Sequence, residues 1–161
     1  MATGDMFLKI ETAKQGPIKG EAQDTKHQGE IDVLQWSWGM RAQTEMGSAG
    51  VSGKSTLKEL VIVKKVDGAT TGLMAAIRNN EVIKKAVLTV RKSGGDPLEY
   101  LKISLQNGRI TAFDVASGKG GGNEALSEEL SIAFQKISVE YVPQGADGKP
   151  RGGMVFETEI N

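Results

Sequence analysis

Apolar residues in this chain come in short runs, rich in β-branched side chains and bounded by Gly, Asn, Asp or Pro, a pattern that predicts strands. Phe7 to Ile10 is the first run, and Ile18 to Ala22 follows a Gly16-Pro17 break. Leu60 to Val66 and Lys85 to Lys92 predict two more. Glu30 to Met40 carries a phase slip: Ile31 and Val33 share one face, whereas Leu34, Trp36, Trp38 and Met40 fall on the other. A strand that changes its buried face midway needs a bulge or a corner between two sheets. The same slip recurs where Leu130, Ile132 and Phe134 give way to Ile137, Val139 and Tyr141. Two long strands with internal slips predict a small, strongly curved barrel or sandwich. Met154, Phe156, Thr158 and Ile160 alternate with Val155, Glu157 and Glu159, which predicts a last, half-buried strand.

Asn107-Gly108 predicts a hairpin turn, because both residues tolerate the positive φ of a type I′ turn. Pairing outward from it sets Leu105 against Ile110 and Ile103 against Ala112, and fails at Leu101 against Asp114. One segment reads as helical: Thr70 to Arg78 follows the Asp67-Gly68 turn, Thr70 or Thr71 offers a capping hydroxyl, and Leu73, Met74 and Ile77 share a face. The expected fold is therefore mainly β, a compact β-barrel or two-sheet sandwich with one flanking α-helix. At 161 residues the chain suits one domain, 1–161. Two glycine-rich stretches, Gln43 to Thr56 and Ser117 to Asn123, read as loops of the kind that carry function.

Composition narrows the chemistry. Lys plus Arg and Asp plus Glu are each 20, so the formal net charge is zero. That opposes binding nucleic acid or an anionic membrane by charge, and it removes a repulsion that keeps proteins monomeric. With no cysteine, disulfides, thiolate nucleophiles and cysteine-ligated zinc are excluded. No apolar run is long enough to insert in a membrane. Met1 to Asp5 lacks a secretory signal, so the expectation is a chain that folds in the cytoplasm and leaves the cell, if it does, without one.

The candidate motifs are mostly bland. Gly53-Lys54-Ser55 resembles the end of a phosphate-binding loop, but the required first glycine falls on Ser48, and a strand is expected next instead of a helix. Gly118-Lys119-Gly120-Gly121-Gly122 lacks the strand–turn–helix setting of a dinucleotide site. His27 sits in a polar stretch and reads as a surface or capping residue. Glu128 and Glu129 would face opposite ways on a strand, so they form no acid/base pair. These readings imply no enzyme, no cofactor and no metal. Trp36-Ser37-Trp38 says more: both indoles point to one side, as core, and Ser37 lies on the other, a face suited to a wall, a protein contact or a lined channel.

The chain resembles the Hcp (haemolysin-coregulated protein) family, whose rings form the inner tube of type VI secretion systems. The resemblance runs from MFLKI through IKGEAQDTKHQGEIDVLQWSWGM, TLKELVIVKKVDGATTGLMAAI, AVLTVRKSGG and LEYLKISLQNGRI to LSIAFQKISVEYVPQGADGKP. It implies a two-sheet β-barrel with a flanking helix, assembled as hexamers and stacked rings, with effector proteins carried in the lumen. The spike protein and the contractile sheath are further implied partners. On the matching positions, the inter-ring loop is Gln43 to Thr56, with Met46, Gly47, Ser48, Ala49, Gly50, Val51, Ser52 and Gly53 at its centre, and Ser37 faces the lumen. Phe156-Glu157 departs from the family's Trp-Asp-like pair. The alternative reading is a monomeric β-barrel binding a ligand near Ser37 or the glycine-rich loop.

Overall fold

The computed structural model describes residues 5–43, 54–92, 98–117, 126–143 and 152–160. In chain order the elements are β1 (Met6–Thr12), β2 (Gly16–Ile18), β3 (Ile31–Asp32), β4 (Gln35–Ser37), β5 (Met40–Gln43), β6 (Lys54–Leu57), β7 (Leu60–Lys65), α1 (Thr70–Arg78), β8 (Ile83–Arg91), β9 (Glu99–Ser117), β10 (Leu126–Ala133), β11 (Lys136–Tyr141) and β12 (Met154–Glu159). All described strand pairs are antiparallel. The expected mainly β barrel with a flanking helix is borne out, with one helix among the described residues.

Both phase slips are corners. Ile31 and Asp32 pair with β1, while Gln35 to Ser37 pair with β7, so the chain leaves one sheet and enters the other at Val33-Leu34. The expected long strand over Glu30 to Met40 is thus three short ones. Ile31 and Val33 are buried, Trp36 and Trp38 are half-buried against the core, and Leu34 and Met40 are exposed, which corrects their assignment to it. At Phe134-Gln135 the chain passes in the same way from β10, beside β7, to β11, beside β12.

The Asn107-Gly108 hairpin is not formed. β9 runs straight through these residues for 19 positions, and its two halves belong to different sheets. Leu105 pairs with Ala86 and Ile137, and Ile110 pairs with Ile132, so the expected cross-turn pairs do not exist. Asn107 has φ +54°, the left-handed conformation that made the dipeptide look like a turn. That conformation bends the strand instead of reversing it. Gly108 is required because a Cβ there would overlap the carbonyl oxygen of Ala133.

One sheet therefore runs β2-β1-β8-β9-β11-β12 and the other β9-β10-β7-β4, with β9 common to both. Residues 31–37 close the barrel on the far side by bonding β1 at one end and β7 at the other. Leu8, Ile10, Leu60, Ile62, Leu88, Ile103, Leu130 and Ile132, each at most 2% exposed, fill it. β5 and β6 form a separate hairpin that pairs only with itself among the described residues.

The helix falls where the sequence placed it, with Leu73 fully buried and Ile77 partly so, while Met74 is exposed. Its cap differs. Ala69 takes the N-cap position without a side-chain bond, and the Asp67 carboxylate accepts from the Ala69 amide at 2.9 Å. The Thr70 hydroxyl accepts from the Asp67 amide and donates to Glu128. The strand expected over Ile18 to Ala22 ends at Ile18. Residues 19–30 then leave the sheet and fold back over it.

Candidate assembly surfaces

Ser37 closes β4, paired with Val61, and is exposed, while Trp36 on the same strand packs inward. Alternation along a strand dictates that split. Ser37 lies in a groove with Trp38, Leu57, Lys58, Glu59 and Val61. The Trp38 indole N–H is buried and has no acceptor among the described residues. Of the remaining predicted site residues, Met46, Gly47, Ser48, Ala49, Gly50, Val51, Ser52 and Gly53 lie outside the described residues. Gln43 and Lys54 to Thr56 are not loop but strand, the two arms of the β5–β6 hairpin. A strand after Gly53 is the wrong setting for a phosphate loop, which needs a helix N-terminus there.

A larger surface, which the sequence pattern hid, sits on β11 and β12. The face that buries Ile137 continues through Val139 to Tyr141, and across the pair to Phe156 and Met154. Exposure climbs along it, from 0% at Ile137 to 44% at Tyr141 and Phe156 and 65% at Met154. Val155, on the other face, is also exposed. The expected half-buried last strand is therefore corrected: among the described residues β12 has one paired edge and apolar side chains open to solvent. Alternation showed which residues share a face but not whether anything covers it. The second sheet ends similarly, with Val66, Val115 and Leu126 exposed beyond buried Leu130.

Two polar clusters were invisible in the sequence. Lys64 is wholly buried and bonds Glu128 at 2.5 Å and Asp67 at 2.9 Å, joining β7, β10 and the approach to α1. Register places Lys64 directly opposite Glu128, 64 positions away in the chain. The second cluster surrounds His27, which is 7% exposed and corrects the surface assignment. Its ring stacks on Phe7 at 4.5 Å, with the Arg91 guanidinium also over Phe7 at 5.0 Å. Nδ1 lies 3.1 Å from Glu30 and Nε2 2.7 Å from Glu99, while Arg91 bonds Asp24 at 2.6 Å. The Arg91 bond, then the Lys26 amide, hold the Asp24 carboxyl down to about 2. Burial raises Glu99, but the His27 bond and charge and then Lys102 outweigh it, so it lies below its usual range.

Among the described residues no group of three or more His, Cys, Asp or Glu could hold a metal ion, and no helix is long and apolar enough to cross a membrane. The family model described as "Type VI secretion system effector, Hcp" matches residues 7–141. The chain is also 40% identical over 154 residues to protein hcp1 of Pseudomonas aeruginosa, covering 94% of this chain and 91% of that one. This chain belongs to the Hcp family.

Solved structures agree in fold. A type six secretion system protein superposes with TM-score 0.80 at 26% identity, covering 92% of this chain and 91% of its own. A type VI secretion system effector from Yersinia pestis gives TM-score 0.75 at 27% identity, covering 96% and 99%. Hcp is a structural, secreted protein of type VI systems and not a known enzyme family. The open apolar faces found here are thus features of an Hcp barrel.

Proposed function

We propose that this chain is the ring subunit of a type VI secretion inner tube, forming hexameric rings that stack, are ejected, and carry small effectors in the lumen. The observation that carries the reading is the unfinished apolar face of β11 and β12, from Val139 to Met154. Contiguous apolar surface at an open sheet edge is an aggregation hazard unless a partner covers it. A closed ring needs two different, complementary surfaces on each copy. The face around Phe156 and the one around Val115 and Leu126 supply such a pair. Zero net charge leaves little repulsion between copies.

In this reading Ser37 faces the lumen. Met46 to Gly53 reach the adjacent ring, and the spike protein and sheath meet the finished tube. Native mass measurement at micromolar concentration tests this, with about six subunits expected for the wild type. Met154→Ser with Phe156→Ser removes exposed side chains, so the barrel should keep its stability to within about 0.5 kcal/mol yet fall to smaller species. A stable, concentration-independent wild-type monomer would sink the ring and favour a binding module.

A further inference from the structure

Phe7 is 1% exposed, yet it belongs to no part of the barrel core. Leu8 and Ile10 point into the barrel, so Phe7 points out, paired with Thr89 on the outer face of the first sheet. It is buried because residues 19–30 fold over it. That segment is held by its own turn bonds, Gly20 N–H to Gly29 and Ala22 N–H to Glu30, by the Asp24–Arg91 ion pair to β8, and by the His27 stack. Gly20 fits because a Cβ there would lie 2.7 Å from the Glu30 carbonyl oxygen. Little else apolar anchors the flap: of its residues, only Ala22 and His27 are buried.

Both ring nitrogens of His27 face carboxylate oxygens, at 3.1 and 2.7 Å. A neutral imidazole has one donor and one acceptor, and a carboxylate only accepts. Both contacts are hydrogen bonds only if the cluster holds one proton more than a neutral imidazole with two carboxylates. The surroundings favour that charge. Asp24, Lys26 and Glu30 come from the flap, Asp5 precedes β1, Arg91 ends β8, and Glu99 and Lys102 lie on β9. Asp32 of β3, paired with Phe7, adds a fifth carboxylate, so five carboxylates against three cations leave two negative charges, and the Phe7 ring presents its electron-rich face.

We infer that His27 is a proton-dependent clasp: as a doubly protonated imidazolium it ties the 19–30 flap to Glu99 and Phe7, and losing that proton releases the flap and uncovers Phe7. The proton is held by the closed form, so the closed form is favoured at lower pH and weakened as pH rises. At the acid end the clasp fails separately, when Glu99 becomes protonated. Neither step depends on ring formation.

The test is amide hydrogen exchange of the wild-type protein, corrected for intrinsic rates, followed from roughly pH 6.5 to roughly pH 9. Protection of the 19–30 peptides should fall by up to about tenfold per pH unit, the limit for one linked proton, while β7 and β10 peptides hold theirs. In Glu99→Gln that dependence should weaken, and in His27→Gln it should vanish with the flap open throughout. Imidazole ¹⁵N shifts of the wild type at neutral pH should show both nitrogens protonated, which needs no variant to fold. An unprotonated ring nitrogen, flap protection that does not change with pH, or an unchanged dependence in Glu99→Gln would each overturn the clasp.

Discussion

A lysine with no exposed surface must keep a counter-ion or lose its charge, and Lys64 keeps two. Removing one member of such a set strands the other in a medium that solvates it poorly. Lys64→Met should therefore cost about 3–5 kcal/mol in urea unfolding, because Glu128 is left buried with only Thr70 as partner. Lys64→Met with Glu128→Leu should recover most of that loss, and a double variant no better than the single would show that the charges themselves matter little. Glu81 illustrates the opposite case, a carboxylate held by neutral donors. The Lys14 and Gln15 amides each reach it at 2.7 Å across the β1–β2 turn. Burial raises its pKa, but the Gln15 bonds, with those from Thr12 and Lys14, bring it from 4.5 to about 2. A depressed folded value means stability is present above 4.5 and lost as pH falls from 4.5 toward about 2. Glu81→Gln should lose stability at neutral pH and flatten the melting curve across that acid range. A variant whose acid limb matches the wild type would refute this. The Lys64–Glu128 and Glu81 partnerships could not be read from the sequence, since they join residues 64 to 67 positions apart that only the folded sheet brings together.

At the scale of elements, period-two alternation was enough to place most strands, because a half-buried strand has one apolar face. It also located both sheet corners, at Val33-Leu34 and Phe134-Gln135, since a change of sheet inverts which side chains face inward. It failed at Asn107-Gly108. A left-handed residue followed by glycine serves a bend as well as a reversal, and only the neighbours decide. Here β8 and β11 flank β9 on one side of the dipeptide, and β10 continues along it on the other. The bend brings Gly108 against the Ala133 carbonyl, so Gly108→Ala must push the two strands apart. Overpacking of this kind costs roughly 1–3 kcal/mol, plus lost strand pairing. Thermal unfolding of Gly108→Ala checks this, and a variant as stable as the wild type would refute the close approach to Ala133.

At the scale of the molecule, the site was legible only where it was core-like or loop-like. Trp36-Ser37-Trp38 announced an inward and an outward face, which the barrel has. The β11–β12 surface was missed because a strand with an open apolar face alternates like a buried one. The β5–β6 hairpin gives the last prediction a structural footing. It pairs only with itself, and Arg41, Ala42, Ser55 and Thr56 along it are exposed. Residues 47–53, which join its arms, are outside the described residues, and no described barrel strand pairs with the hairpin. Trimming Gly47 to Gly53 to a short turn should therefore leave the melting temperature of the barrel nearly unchanged. If within-ring contact runs through β12 and the Val115–Leu126 face, native mass should still give rings of about six subunits. Contact between rings is another matter. A weak loop contact repeated around a ring gains by multivalency, so losing every copy at once should abolish stacking and, with it, secretion. Rings that fall apart on trimming would instead place the loop in the within-ring interface, and trimmed rings that are still secreted would remove it from tube building altogether.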